Sequence, residues 1–225
     1  MRTPVVDYRD FRFSKLCEKR FSHLKYLGGW IVYFILHFLT EVLIPNDRCF
    51  VVKGALDDVI PFCEYFIIPY VGWYFLIVFS LVYFALFNPD NFKGMMKFII
   101  FCQLTAMVIY IIFPNRQDLR PEVFPRDNFC TDIVKLIYSI DTNTNVCPSM
   151  HVAFSLGIAS AWLKEKGAAR FTRALIVLFC AVVCVSVAFV KQHSVVDIYA
   201  AAGLGIIAEL FAYGSFWKEK FSKRK

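Results

Sequence analysis

Residues 66–87 read FIIPYVGWYFLIVFSLVYFALF and contain no charged side chain. A helix needs about 20 apolar residues to cross the hydrocarbon core of a bilayer, and this run has that length. Hydrophobic residues make up 58% of the 225-residue chain, against about 45–50% in an ordinary soluble domain. The composition therefore excludes a soluble domain, a disordered chain and a small disulfide scaffold, and it favours a membrane protein.

Apolar stretches of spanning or near-spanning length recur along the chain. They predict transmembrane helices at 27–44, 66–87, 97–113, 149–163, 174–190 and 194–216. The fourth is short and begins with polar residues, which is typical of a helix that lines a site instead of facing lipid. We therefore predict an all-α fold, a polytopic membrane helix bundle with six transmembrane helices.

The net charge of +7 has a topological explanation. Most Lys and Arg residues lie in the segments 1–26, 88–97, 164–173 and 217–225. By the positive-inside rule, both termini of a multi-pass protein of the cell membrane then face the cytoplasm. We expect a basic amphipathic N-terminal segment at 1–26, a membrane domain at 27–216 and a basic tail at 217–225. Because anionic lipid headgroups explain these charges, no nucleic-acid partner is expected.

Cysteine and histidine spacing bears on disulfides and metals. Four of the eight cysteines fall on the expected outer side, where a disulfide is possible, although spacing alone does not pair them: Cys49, Cys63, Cys130 and Cys147. No His/Cys cluster has metal-ligand spacing, so no metal site and no cofactor is expected.

Two of the four histidines lie at the outer starts of predicted spans. His151 closes the sequence Pro-Ser-Met-His at 148–151, and His193 precedes Asp197 by four residues. Residues four apart on a helix share a face, and a carboxylate beside an imidazole fixes its tautomer and raises its basicity. A purely structural reading also fits, in which His193 and Asp197 satisfy each other inside a polar bundle.

The predicted topology also brings basic groups to this outer face, namely Arg116, Arg120 and Lys191. Ser149 is a suitable N-cap residue, and the helix N-terminus that follows, with the backbone N–H of Met150, attracts anions. This combination suits a phosphate group. Each cation taken singly is also explained by contact with lipid headgroups.

These residues resemble the three-part signature of the type-2 phosphatidic acid phosphatase and vanadium haloperoxidase superfamily. Arg120-Pro121 matches the end of the first part, and residues 148–151 match Pro-Ser-Gly-His with Met in place of Gly. Ser186, His193 and Asp197 match the third part. The run 141–149 is similar to bacterial integral membrane members near the inositolphosphorylceramide synthase-like branch. The resemblance covers roughly residues 60–200 and implies a phosphatase-like domain at 27–216.

Two cations of that signature are replaced. Phe113 stands at the position of its Lys and Val187 at the position of its Arg. Arg116 and Lys191 lie three and four residues further on, so they are expected to supply the missing charges if these segments are helical.

The resemblance implies roles for the site residues. His193 would attack phosphorus, Asp197 would orient it, and His151 would protonate the leaving oxygen and then activate water or an alcohol. The expected phosphate-binding groups are Arg116, Arg120, Ser149, Met150 and Lys191.

The implied function is a metal-independent lipid phosphatase that acts at the extracytoplasmic membrane face. Its substrate would be a lipid phosphomonoester or a polyprenyl diphosphate, supplied from the bilayer. A lipid headgroup phosphotransferase, like inositolphosphorylceramide or sphingomyelin synthases, remains an alternative. So does a non-catalytic membrane protein with a degenerate site.

Overall fold

A computed structural model describes residues 3–222 of the chain, and within them the fold is mostly helical. The expectations for Arg2 and for residues 223–225 of the tail lie outside these described residues. The α-helices are α1 Gly28–Leu43, α2 Ile67–Phe87, α3 Pro89–Ile112, α4 Phe129–Ile140, α5 Met150–Lys164, α6 Arg170–Phe189 and α7 Val195–Ser222. Two short strands, β1 Phe50–Val51 and β2 Asn115–Arg116, pair in parallel.

Short 3₁₀ turns fill several of the remaining connections. They cover Phe13–Lys15, Ser22–Leu27, Asn46–Arg48, Ala55–Asp58 and Glu64–Phe66. The turn Ser22–Leu27 leads directly into α1, and Glu64–Phe66 leads directly into α2.

Five helical segments are long and apolar enough to cross a membrane. They are Ser22–Leu43, Glu64–Phe87, Pro89–Ile112, Arg170–Phe189 and Val195–Lys220. The mostly helical fold, with several helices long and apolar enough to span a membrane, agrees with the predicted all-α membrane bundle, whereas the number of six spans is not confirmed. The predicted fourth span corresponds to α5, which has 15 residues and is shorter than the roughly 17–25 usual for a span.

The short helix α5 lies at the centre of the bundle, packed against α2, α3, α6 and α7. It runs antiparallel to α3. Near one end Tyr110 Oη donates to the carbonyl of Pro148 at 2.7 Å. Near the other, Asn91 Nδ2 donates to the carbonyl of Ala161 at 2.8 Å, and Asn88 Nδ2 donates to Glu165 Oε2 at 2.7 Å. Although short, α5 therefore extends between both ends of a 24-residue spanning helix.

The bundle has two different ends. At the terminal end, which holds residues 3–27 and the last turns of α7, the N–H of Val5 donates to the carbonyl of Leu86 at 2.8 Å. Tyr213 Oη of α7 donates to Asn91 Oδ1 at 3.0 Å nearby. The opposite, loop-rich end holds the connections 44–66, 113–149 and 190–194. The two described ends of the chain therefore lie at the same end of the bundle.

Helix α1 is the peripheral member, since it packs mainly on α3 and on the preceding 3₁₀ turn. Much of its surface is apolar and exposed, including Ile31, Phe34, Ile35 and Phe38. A helix surface of this kind is stable where lipid tails, not water, surround it.

The connection 113–149 contains the predicted short helix. Apolar residues spaced as on a helix predict it around Ile133–Ile140, and α4 covers that segment. The side chain of Asn128 caps it by accepting a hydrogen bond from the N–H of Thr131 at 3.1 Å. All eight cysteines are free thiols in this structure, including the four on the expected outer side.

Candidate active site

His193 lies in the turn between α6 and α7. The carbonyl of Val187 accepts hydrogen bonds from the N–H groups of both Gln192 and His193, at 3.0 and 3.2 Å. The Nδ1 atom of His193 lies 3.2 Å from Asp197 Oδ2, as the four-residue spacing predicts. Asp197 is fully buried and the same oxygen accepts the N–H of Ser194 at 2.9 Å. This arrangement leaves the Nε2 edge of His193 as the free edge of the ring.

His151 is the second residue of α5 and faces His193. The two ring centroids are 5.8 Å apart and the rings meet edge to face. Tyr70 stacks on the His151 ring with a centroid distance of 4.3 Å, and Trp73 contacts it at 4.2 Å. The Nε2 atom of His151 is buried and has no hydrogen-bond partner in the described structure. Aromatic packing therefore fixes this imidazole while one nitrogen stays available.

Ser149 caps α5, as the sequence predicts. Its side chain accepts from the N–H of Val152 at 3.4 Å, and its own N–H donates to the carbonyl of Asp197 at 3.2 Å. The first N–H groups of a helix have no intrahelical acceptor, so those of Met150 and His151 form an anion-attracting end of α5. Met150 and both histidines line a common cavity.

This histidine cavity has a volume of about 510 Å³. Its polar end carries Asp141, Thr142, Asn145 and Gln192 beside the two histidines. Its walls are aromatic and aliphatic side chains of Leu27, which directly precedes α1, and of α1, α2 and α5, namely Trp30, Tyr33, Phe34, Trp73, Tyr74, Ile77, Val78, Leu81 and Phe154. The cavity therefore joins a polar head region at the loop-rich end to an apolar cleft between α1 and α2.

Arg120 lies directly behind the polar end. Its guanidinium donates to Gln192 Oε1 at 2.8 Å and to the carbonyls of Tyr138, Asp141 and Thr142 at 2.9–3.1 Å. Burial lowers the pKa of Arg120, but a guanidinium stays charged at neutral pH. Arg120 thus reaches the site through Gln192 and does not line the cavity itself.

Lys191 points away from the histidine cavity. Its Nζ atom donates to the backbone carbonyls of Asp57 and Ile60, at 2.8 and 2.5 Å, and burial lowers its pKa. Lys191 also has a positive φ of 54°, a conformation that turns the chain sharply before His193. Its contacts give it a role in holding this turn, and its expected role at a phosphate stays a prediction.

Arg116 also lies outside the histidine cavity. Its side chain donates to Asn46 Oδ1 at 2.9 Å and forms an ion pair with Asp118 at 3.2 Å. Among residues 3–222, no Lys or Arg lines the cavity. The structure therefore brings together His151, His193, Asp197, Ser149 and Met150, and it places Arg116 and Lys191 elsewhere.

Two buried or partly buried carboxylates that contact the turn before α7 were absent from the predicted site. Asp57 accepts from Ser194 Oγ at 2.6 Å and from the N–H of Val195 at 2.8 Å, so it fixes the start of α7. Asp141 accepts from Gln192 Nε2 at 3.0 Å, and burial raises its pKa. The position of Asp141 at the head of the run 141–149 was the available signal for it, and Asp57 was marked only by its place among the acidic residues that precede the second predicted span.

His37 of α1 completes the cavity wall. Its Nε2 atom lies 3.6 Å from Glu41 Oε1, and the same oxygen accepts a hydrogen bond from Thr142 Oγ1 at 2.5 Å. His37 and Glu41, four residues apart on α1, thus face each other, and Glu41 links α1 to the loop that carries Asp141.

The described residues contain no group of three His, Cys, Asp or Glu side chains arranged to hold a metal ion. Comparisons of the chain with protein-family models, with curated proteins and with solved structures gave no match.

Proposed function

We propose that this protein transfers a phosphoryl group from a membrane lipid through a phosphohistidine at His193, with water as the acceptor. One observation carries the proposal. The pair His193–Asp197 and the free nitrogen of His151 lie at the head of a cavity whose remaining walls are apolar. A lipid phosphate has the matching arrangement, with a charged group for the polar end of the cavity and a hydrocarbon chain for its apolar walls.

The chemistry follows from the free nitrogens. Asp197 holds Nδ1 of His193, so Nε2 carries the lone pair that attacks phosphorus and forms the N–P bond. The P–O bond to the lipid breaks, and His151 gives its proton to the departing oxygen. His151 then takes a proton from water as the water oxygen attacks phosphorus. Inorganic phosphate leaves and both imidazoles return to their starting state.

Stabilisation of the phosphoryl oxygens is assigned mainly to α5. The first-turn N–H groups of Met150 and His151 have no intrahelical acceptor, and the positive end of the helix dipole lies there. Arg120 contributes its positive charge indirectly, through its 2.8 Å hydrogen bond to Gln192. Fixed donors of this kind stabilise charge that develops in the transition state.

Entry of the substrate is assigned to the cleft between α1 and α2. Leu27, which directly precedes α1, and Phe34 and His37 of α1 line the cavity from near the terminal end to its polar head. Helix α1 itself packs mainly on α3. A lipid from the bilayer thus enters sideways without leaving a hydrocarbon environment. The substrates that fit are a lipid phosphomonoester and a polyprenyl diphosphate.

We further propose that α5 is a sixth span. It connects both ends of α3, and its neighbours screen its short length from lipid. With six spans, both termini face the cytoplasm and the histidine cavity faces outward, in agreement with the distribution of Lys and Arg. The protein is then a multi-pass protein of the cell membrane.

A second candidate, transfer to an alcohol, has an observation in its favour. Asp141, Thr142, Asn145 and Gln192 form the polar end of the cavity, and carboxylate and amide groups are good partners for hydroxyls. No Lys or Arg of the described residues joins them there. An alcohol held among these groups would take the place of water in the second step.

The test is to trap the intermediate. Purified protein in detergent is mixed with phosphatidic acid or a polyprenyl diphosphate labelled in the transferred phosphate, and the reaction is quenched in base, which preserves phosphohistidine. We expect label on the native protein, slower labelling of His151→Ala, because the step that forms the phosphohistidine loses its acid, and none on His193→Ala. His23→Gln is the control, because His23 lies at the terminal end, where Tyr8 contacts it.

The products separate the candidates. Release of inorganic phosphate that is unchanged by added glycerol or inositol supports hydrolysis, whereas a new phosphate ester supports transfer to an alcohol. If His193→Ala retains near-native turnover, the phosphohistidine mechanism is wrong.

A further inference from the structure

A second cavity lies between α5 and α7 at the terminal end of the bundle. Its volume is about 920 Å³. We call it the terminal cavity. A Cβ atom on Gly205 would come within 2.9 Å of Leu156 Cδ1, so the missing side chain lets α7 approach α5 here. The wall is apolar and includes Leu156, Ala159, Leu163, Ala202, Ile206 and Leu210.

Polar groups close the terminal cavity at one side only. Lys164 Nζ lies 2.6 Å from Glu209 Oε1, and Ser160 Oγ donates to Glu209 Oε2 at 2.5 Å. Trp217 Nε1 donates to Glu209 Oε1 at 2.7 Å. Glu209 therefore has three donors and is fully compensated, with the Lys164 ammonium as its counter-ion.

A second ammonium group leaves a positive charge at the mouth. Lys220 lines the terminal cavity, and its Nζ atom lies 4.9 Å from the centre of the Trp217 ring. Lys164 lies 4.0 Å from the Tyr213 ring. One carboxylate faces two ammonium groups, so an anion is favoured beside Lys220.

We infer that the terminal cavity binds one anionic phospholipid, with its phosphate at Lys220 and an acyl chain along α5 and α7. Three features coincide here: an apolar groove, a cationic mouth and a Trp side chain at the level where the helices end. Trp and Lys at that level are typical of the headgroup region of a bilayer. The terminal cavity lies between α5 and α7 and shares no lining residue with the histidine cavity, so this inference is independent of the proposed catalysis.

The experiment measures lipid selectivity of the full chain in detergent by native mass spectrometry. Phosphatidylglycerol and phosphatidylcholine with the same acyl chains are titrated, and the ratio of their dissociation constants is compared between variants. We expect the native protein to prefer phosphatidylglycerol. One Lys near a membrane surface contributes about 1 kcal/mol, so Lys220→Gln is expected to reduce the preference about fivefold.

Matched variants make the result decisive. Lys218→Gln removes an equal charge from the same exposed turn outside the terminal cavity, and it should keep the native preference. Lys220→Arg should keep it as well. Lys220 is exposed, so its replacement leaves the core intact. Equal selectivity in native and Lys220→Gln protein, or competition by glycerol phosphate without acyl chains, would overturn the inference.

Discussion

The backbone N–H of Ser149 donates a hydrogen bond to the backbone carbonyl of Asp197, at 3.2 Å. This bond joins the first turn of α5, which carries His151, to the first turn of α7, which follows His193. Because it involves only main-chain atoms, the separation of the two histidines is set by the backbone. Side-chain changes at the site therefore alter chemistry more than position.

That rigidity makes Asp197→Asn informative. Asn keeps the size of the side chain but loses the charge that fixes the tautomer of His193 and stabilises its protonated form. We expect turnover to fall about a hundredfold. The measurement is turnover under saturating lipid in detergent. Asp118→Asn, at an exposed carboxylate paired with Arg116, should retain native turnover; equal loss in both variants would remove Asp197 from the mechanism.

Asp57 is expected to act through the position of α7. Its buried carboxylate accepts from the N–H of Gly54, from Ser194 Oγ and from the N–H of Val195, at 2.6–2.8 Å. Hydrogen bonds to a charged group contribute about 1.5–3 kcal/mol, so Asp57→Asn should lower the free energy of unfolding by about 2 kcal/mol and reduce turnover as well.

The adjacent residue provides the control for that prediction. Asp58 is exposed and pairs only with the exposed Lys53, so Asp58→Asn should change the free energy of unfolding by about 0–1 kcal/mol. Denaturant titration of the detergent-solubilised protein compares the two variants. Similar losses in both would show that Asp57 does not hold the start of α7.

The helices were largely predictable, because the length of an apolar run such as 66–87 gives the length of the helix directly. The helix predicted at 149–163 is also present, as α5 Met150–Lys164, but it is too short to count among the helices that could span a membrane by length. Neighbouring helices bury it, so lipid contact does not dictate its length. The spacing of His193 and Asp197 was readable for a related reason. One helical turn is a local property that sequence distance encodes directly.

The direction of side chains, and contacts between residues distant in sequence, could not be predicted from the sequence. Lys191 turns toward Asp57 because its positive φ redirects the chain, and nothing in the sequence marks that conformation. Asp57 and Ser194 are 137 residues apart, and only the packing of the 3₁₀ turn Ala55–Asp58 on α7 brings them together. Arg116, Arg120 and Lys191 all lie in connections at the loop-rich end, but the direction of each side chain depends on contacts with residues distant in sequence.

Asp141 gives a prediction about pH. Burial raises its pKa in the folded state, so folding favours its protonated form. The contribution of this pKa shift to the free energy of unfolding is fully present below the ordinary carboxyl pKa of about 3.9. It declines as the pH rises toward the higher pKa of the folded state. Asp141→Asn should therefore stabilise the protein at pH 7.5 by about 1 kcal/mol and have little effect at pH 4.

Thermal unfolding in detergent at the two pH values measures this difference. Asp132→Asn is the control, because Asp132 is an exposed carboxylate of α4 that faces Lys135 at 3.6 Å. Its replacement should not produce a gain in stability that grows with pH. A destabilised Asp141→Asn protein at pH 7.5 would mean that the charge on Asp141 is needed by its partners.

The orientation in the membrane is expected to place the loop-rich end outside. Val123 has 83% of its surface exposed in the connection 113–149, so Val123→Cys offers a reachable thiol. In intact cells that express this variant with Cys49, Cys63, Cys130 and Cys147 replaced, an impermeant maleimide should label it before lysis. The exposed Cys17, near the other end of the bundle, should react only after lysis. The reverse order would invert the topology.

A Lys191 variant tests whether this side chain binds the phosphate or only stabilises the turn before His193. Its ammonium donates to the carbonyls of Asp57 and Ile60, so it holds the turn before His193. Lys191→Gln should lower the free energy of unfolding by about 1–3 kcal/mol. It should leave inhibition by vanadate, a mimic of five-coordinate phosphorus, within about threefold of native, because vanadate would contact the first turn of α5 instead.

A substrate-binding Lys191 predicts the opposite pair of results. A cation that contacts the phosphoryl group contributes about 3 kcal/mol, so its loss would weaken vanadate binding about a hundredfold. Restoring the charge at residue 187 would not separate the two roles, because Val187 is fully buried and its carbonyl holds the N–H of His193. Met150→Pro removes a first-turn N–H at a position where proline suits a helix. If α5 binds the anion, this variant loses vanadate affinity while Lys191→Gln retains it.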